Sequence, residues 1–145
     1  MKILSFLSFL LALLMFVSLE SCSGELNSRE EVIALYQKND EVFLDAAQKG
    51  DFAPLEGIRG VTEVNICEDH VDIYCGGTGF GSATGYYGIF YSEEDNLTAI
   101  WCAGPKDRLV ADGNGYRYKE PGPGGDNQYY VEPLGNHFYY YEAQF

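Results

Sequence analysis

The first strong pattern in the chain is a helical spacing of apolar residues between positions 29 and 49. Leu35 and Phe43 lie on one face of that helix together with the neighbouring apolar positions. Ser28-Arg29-Glu30-Glu31 is a capping box, in which the Ser28 hydroxyl accepts from the Glu31 amide. Gly50 is typical of a helix end. The pattern therefore predicts one long amphipathic helix near the N-terminus.

After residue 57 the period of the apolar pattern changes to two. Val64 and Ile66 alternate with polar neighbours, and short acidic or glycine-containing turns separate such runs. The predicted strands lie at residues 62–67, 71–75, 86–91, 97–102, 128–134 and 137–145, and 109–111 and 116–119 are further strand candidates. Short turns favour pairing of successive strands, and one helix covers one face of a sheet. We expect an α+β fold, with the long helix packed on a curved antiparallel meander of about six or seven strands.

The first 22 residues have the pattern of an export signal. Lys2 precedes an apolar run from Ile3 to Val17, which is shorter than the roughly 20 residues of a membrane-spanning helix. The run is followed by Leu19-Glu20-Ser21-Cys22, which resembles the lipobox of bacterial lipoproteins. Glu20 departs from that motif, since the position is usually small and uncharged. The resemblance implies that Cys22 is acylated and becomes the new N-terminus.

A lipid-modified Cys22 would place the protein outside the cytoplasm, anchored to the cell membrane by its lipid. The mature domain also resembles small uncharacterised surface lipoproteins of Gram-positive bacteria. Two alternatives are ordinary signal cleavage after Ser23, which would secrete the domain, and an uncleaved membrane anchor. We divide the chain into a signal and lipid-attachment segment (1–22), a tether (23–28) and a single globular domain (29–145).

Charge excludes one class of partner. The net charge is −13, with 22 acidic and only 9 basic residues. Nucleic-acid binding requires clustered Lys and Arg, so we expect no nucleic-acid partner. Anionic headgroups would also repel the domain, so we expect membrane association through the lipid anchor only.

Three candidate chemical sites have simpler interpretations. The Gly-rich segment 76–85 contains no Lys or Arg and lies between strands, which is unlike a phosphate-binding loop. Glu68, Asp69, His70 and Asp72 surround one predicted hairpin, and we interpret them as a solvated acidic turn. Thiol catalysis would need Cys67 or Cys102 beside a histidine, and nothing in the sequence brings them together. We therefore predict no catalytic residue, no metal site and no cofactor.

Three cysteines remain besides Cys22, so at most one disulfide can form within the domain. Cys75 shares the strand parity of Val71 and Ile73, whereas Cys67 has the opposite parity. That difference argues against a bridge within the hairpin. Cys75 with Cys102 is the candidate disulfide.

The C-terminal hairpin contains the predicted binding surface. A two-residue turn at Gly135-Asn136 would pair Glu132 with Tyr139 and Tyr130 with Tyr141. One face would then present the following five residues: Tyr130, Glu132, His137, Tyr139 and Tyr141. Exposed aromatic residues in a row can stack on sugars or anchor a protein interface.

These features predict a non-enzymatic, membrane-tethered extracytoplasmic module that binds a protein or a glycan. The alternative from another class is a small cell-envelope hydrolase or an inhibitor-like regulator. A surface protein with no small ligand is a third possibility. A deep cleft with a histidine beside a carboxylate or thiol would favour the hydrolase.

Overall fold

The computed structural model of the protein describes residues 24–80 and 83–145. The predictions for the export signal and for Cys22 lie outside the described residues. In the described part of the predicted tether, Leu26 packs against the core. Its N–H donates to the Cys75 carbonyl oxygen over 2.9 Å.

The N-terminal region forms two short helices, α1 (Arg29–Lys38) and α2 (Asp40–Lys49), so the prediction of one long helix is wrong. The break is at Asn39, whose amide Nδ2 donates to the Leu35 carbonyl oxygen over 2.8 Å. This side chain occupies the acceptor that a continuous helix would reserve for the Asn39 backbone N–H. The predicted start at Ser28 and end at Gly50 are confirmed.

In the part of the chain that the structure describes, seven strands form one antiparallel sheet in the order β1-β2-β3-β7-β6-β5-β4. The strands are β1 (Glu63–Ile66), β2 (Val71–Phe80), β3 (Ala83–Tyr91), β4 (Val110–Asp112), β5 (Gly115–Lys119), β6 (Gln128–Gly135) and β7 (Phe138–Gln144). Two short 3-10 helices lie at Ala53–Gly57 and Lys106–Arg108.

This topology corrects the predicted meander. Residues 92–109 cross from β3 to the far edge of the sheet, so β7 pairs with β3 and β4 forms an edge. The predicted strand at 97–102 is a series of turns within this crossing segment. The Gly-rich segment 76–85, expected to lie between strands, instead contributes to them: β2 extends to Phe80 and β3 begins at Ala83.

Both faces of the sheet are buried, which a single helical layer could not achieve. Helices α1 and α2 cover one face, called here the helix face. The crossing segment covers the other, the loop face, and its Ile100 and Cys102 are buried there. Large buried residues of the helix face include Val32, Phe43, Leu55, Ile73, Ile89, Phe138 and Tyr140. Those of the loop face include Phe90, Tyr129, Val131, Tyr139 and Tyr141.

The register of the C-terminal hairpin differs from the prediction by one residue. Tyr130 pairs with Glu142 and Glu132 with Tyr140. The turn residues are Asn136 and His137, both at positive φ, as a type I′ turn requires. The predicted turn at Gly135-Asn136 is therefore wrong. A shift of one residue changes which side chains share a face.

The candidate disulfide is also corrected. Cys67, Cys75 and Cys102 are free thiols. Cys75 belongs to the core of the helix face and Cys102 to that of the loop face. The sheet lies between the two side chains, so its backbone separates the predicted pair.

Among the described residues, seven strands and two helices bury their apolar side chains in two cores. We therefore expect residues 24–145 to fold as an isolated domain.

Candidate functional site

The five predicted binding residues do not form an exposed platform. Tyr130, Tyr139 and Tyr141 are 6%, 6% and 1% exposed, respectively. Tyr130 and Glu132 point to the helix face, whereas Tyr139 and Tyr141 point to the loop face. The expectation of a shared exposed face is wrong because both faces are covered. A ligand-binding role for these residues stays a prediction, without the platform on which it was based.

Tyr130 and Glu132 take part in an ion-pair network instead. Arg29 donates to the Glu132 carboxylate from Nε (2.8 Å) and Nη2 (2.6 Å). The Tyr130 hydroxyl donates to the same carboxylate over 3.0 Å. The Arg117 guanidinium lies 4.7 Å from the centre of the Tyr130 ring. These contacts hold α1 on the sheet. The Glu132 carboxylate already accepts hydrogen bonds from Arg29 and Tyr130.

His137 lies in the hairpin turn, beside an acidic loop. Its Nδ1 is 2.8 Å from Asp95 Oδ1, and the Tyr139 hydroxyl donates to the same oxygen. The hydrogen bond from Tyr139, followed by that with His137, lowers the pKa of Asp95. Among the described residues, no hydroxyl or thiol group forms a hydrogen bond with the His137 ring. These hydrogen bonds connect the β6–β7 turn to the acidic loop that follows β3.

A second histidine lies in a concavity of about 310 Å³ that Cys67, His70 and Asp69 help to line. His70 Nδ1 is 2.7 Å from Asp69 Oδ1. Desolvation, and then the charges of Asp72 and Asp69, raise the pKa of the Cys67 thiol. A raised pKa favours the neutral thiol, which is the weaker nucleophile. Across the described residues no group of three or more potential metal ligands converges.

An exposed aromatic cluster lies around Trp101, which is 65% exposed. Its indole is nearly parallel to the Phe145 ring, with centroids 5.9 Å apart and an interplanar angle of 11°. Tyr86 meets both rings edge-on, at 5.5 Å from Trp101 and 5.9 Å from Phe145. Aromatic contacts of this kind stabilise each other and fix ring orientation. Together the rings form a rigid apolar surface beside a cleft of about 240 Å³, called here the Trp101 cleft.

Local backbone geometry explains why Trp101 points outward. Ala103 N–H donates to the Ile100 carbonyl oxygen over 3.0 Å, which closes a turn around Trp101. Ile100 and Cys102 on either side are buried in the core of the loop face. The intervening side chain is therefore directed to the surface.

The walls of the cleft come from the crossing segment, β5, the start of β6 and Phe145. Gly104 lies against the Tyr118 ring so closely that any added Cβ would collide with it. Phe145 is held by reciprocal backbone hydrogen bonds with Thr84, of 3.0 and 3.2 Å. These contacts fix the aromatic walls before any ligand arrives.

The polar groups of the Trp101 cleft are neutral. Asn127 and Gln128 line it, and none of the Lys, Arg, Asp or Glu residues that the structure describes does. Neither side-chain amide makes a hydrogen bond with another described residue. An amide offers two donors and one acceptor oxygen. The cleft thus combines exposed aromatic faces with uncommitted, uncharged hydrogen-bonding groups.

This site could not be predicted from the sequence, because residues 97–102 have the composition of a strand. The sequence of a predicted strand does not show whether a Trp within it is exposed. The useful signal was Gly104-Pro105, shortly after the predicted strand, because this dipeptide marks a turn or a loop.

Within residues 24–80 and 83–145, neither helix has the length and apolar content needed for a membrane crossing. No protein-family model, curated protein sequence or solved structure matches the chain.

Proposed function

We propose that the protein is a non-enzymatic module that binds a neutral glycan in the Trp101 cleft, and that a lipid on Cys22 tethers it outside the cytoplasm. The observation that carries the proposal is the exposed Trp101 indole, aligned with Phe145 and flanked by free amides. The proposed lipid attachment is based on the lipobox resemblance and on the export-signal pattern of residues 1–22.

Carbohydrate fits the chemistry of the cleft better than the other ligand classes. The face of an indole ring carries negative partial charge, and it attracts the C–H groups on one side of a pyranose ring. The amides of Asn127 and Gln128 can donate to and accept from sugar hydroxyls. At about 240 Å³ the cleft is smaller than the roughly 300–1,000 Å³ typical of drug-sized pockets, which favours one exposed sugar unit at a time.

The charges of the cleft and of the whole domain restrict the kinds of glycan that can bind. The described lining of the cleft supplies no cation for a sugar phosphate or a uronic acid, and the chain is strongly acidic. Electrostatic repulsion would oppose an anionic glycan. The favoured ligand is a neutral hexose or N-acetylhexosamine polymer.

The test is binding of residues 24–145 to an array of neutral and anionic glycans, followed by titration calorimetry with the best neutral ligand. Trp101→Ala should weaken binding at least tenfold, about 1.4 kcal/mol, because aromatic anchors dominate such contacts. Tyr116→Ala is the matched control, since Tyr116 is an exposed aromatic residue outside the cleft lining. It should bind like the wild type.

Both variants should unfold at temperatures close to that of the wild type, because both side chains are exposed. Equal affinity of wild type and Trp101→Ala for the glycan would exclude the cleft. Capture of a protein, lost in Trp101→Ala without any glycan binding, would replace the glycan with a protein ligand.

A further inference from the structure

We propose that the two edges of the sheet recognise each other between molecules, so that β4 of one copy lies beside β1 of the next. The partner is thus a second copy of the chain. The surfaces involved are separate from the Trp101 cleft and do not depend on its ligand.

Both edges of the sheet have unpaired backbone groups and space for another strand. β1 and β4 are the outermost strands, and each pairs with one described neighbour only. Each carries an exposed aliphatic side chain, Ile66 at 70% and Val110 at 68%. A concavity of about 360 Å³ lies along β4, lined by Val110, Ala111, Arg108 and Lys119 among others. An edge strand with free N–H and C=O groups is a template for another strand.

The β4 edge is basic in an otherwise acidic chain. Residues 106–119 contain four of the nine Lys and Arg residues. Arg117 pairs with Asp112 and Glu142. Lys106, Arg108 and Lys119 form no salt bridge with any described residue. These three cations are therefore free to meet an external anion.

The β1 edge has the opposite charge. Residues 60–70 contain Glu63, Glu68 and Asp69 and no Lys or Arg. All three acidic residues are exposed. The carboxylate of Asp69 is partly engaged by His70, whereas Glu63 and Glu68 form no salt bridge within the described chain.

Charge selects between the possible pairings. Contact between two β4 edges would oppose cations to cations, and contact between two β1 edges would oppose carboxylates to carboxylates. Like charges across an interface are costly, whereas complementary ones fix the partner and speed association. Only β4 against β1 is complementary. Such a contact is head-to-tail, so it leaves a free edge at each end and can extend into linear chains.

A charge exchange tests the inference. Residues 24–145 are studied by sedimentation over a concentration series at low and high salt. The mean mass of the wild type should rise with concentration, and salt should reduce it by screening the contact. A basic-edge variant (Arg108→Glu with Lys119→Glu) and an acidic-edge variant (Glu63→Lys with Glu68→Lys) should each associate at least tenfold more weakly. An equimolar mixture of the two variants should associate again, because each altered edge then finds its complement.

The matched control is Lys38→Glu with Lys49→Glu, which changes net charge as much as the basic-edge variant but lies on α1 and α2. It should associate like the wild type. Circular dichroism checks that every variant is folded. A wild type that stays monomeric at low salt and high concentration would overturn the inference. Equal weakening by the control, or no recovery in the mixture, would do so as well.

Discussion

At the scale of single residues, one buried carboxylate has an unusual environment. Asp72 on β2 accepts a hydrogen bond of 2.9 Å from the Tyr141 hydroxyl on β7, across the intervening strand β3. Gly88 on β3 makes this possible, since an added Cβ there would approach the Tyr141 ring to 2.6 Å. The absence of a side chain at Gly88 thus lets a tyrosine span three strands and satisfy a buried acid.

Burial changes the pKa of Asp72. Desolvation raises its pKa above the ordinary 3.8, and the Tyr141 hydrogen bond opposes that shift. The folded chain therefore binds this proton more tightly than the unfolded chain. As pH rises from 3.8 through the folded-state pKa, the contribution of Asp72 to stability falls.

Asp72→Asn should remove this pH-dependent cost, because the amide oxygen can still accept from Tyr141. We expect the variant to melt above the wild type at neutral pH, with a difference that shrinks as pH falls towards 3.8. Thermal unfolding across that pH range measures it. Asp126→Asn, at an exposed loop position, is the control for the loss of one negative charge. A constant difference at all pH values would contradict the assignment.

At the scale of secondary-structure elements, α1 is fastened to β6 by charge as well as by apolar packing. The Arg29 guanidinium binds both oxygens of Glu132, whose residue is only 6% exposed. The hydrogen bond with Glu132 is the main cause of the raised pKa of Arg29. Breaking a buried pair leaves an uncompensated charge, which costs more than the pair itself contributes.

Arg29→Met should destabilise the fold by about 2 kcal/mol, below the full cost of a broken buried pair because the Arg29 side chain is 34% exposed. Adding Glu132→Gln should recover at least half of that loss, since it removes the stranded charge and still accepts from Tyr130. Denaturant unfolding gives both free energies. Additive losses in the double variant would mean that the pair does not act as a unit.

The crossing segment shows what element-level patterns miss. Its buried Ile100 and Cys102 alternate with an exposed Trp101, as a half-buried strand would. The same alternation arises here from a turn whose flanking residues insert into the loop-face core. Periodicity reports which side chains are buried and does not distinguish a paired strand from a chain lying across a sheet.

At the scale of the whole molecule, the proposed tether and the two proposed surfaces would act together. A lipid on Cys22 would confine the domain to a membrane surface, and confinement raises the local concentration for both glycan binding and edge contacts. A row of head-to-tail copies would also present several Trp101 clefts to one polymer. Repeating ligands would then bind more tightly than single sugar units.

Cys22→Ala should abolish lipid attachment, since the thiol is the group that the lipobox resemblance implies is acylated. Metabolic labelling with a fatty-acid analogue should mark the wild-type chain and leave the variant unlabelled. The variant should be released into the medium or remain as a precursor. Labelling of the variant at the wild-type level would show that Cys22 is not the attachment site.

The sequence by itself determined local features, because these depend on neighbouring residues. The sequence pattern located all seven strands of the described residues and the hairpin that joins β1 and β2, although it also predicted a strand at 97–102 that does not form. Ser28 and Gly50 marked the outer ends of the helical region. The export pattern of residues 1–22 is likewise a local property of the sequence.

Only the tertiary structure decided which faces are buried, because that depends on segments far apart in the chain. The crossing segment covers the second sheet face and moves β4 to an edge, and no periodicity encodes that path. One residue of register, set by the turn at Asn136 and His137, then separated Tyr130 from Tyr139. The same crossing exposes Trp101 beside Phe145, two residues brought together by folding alone.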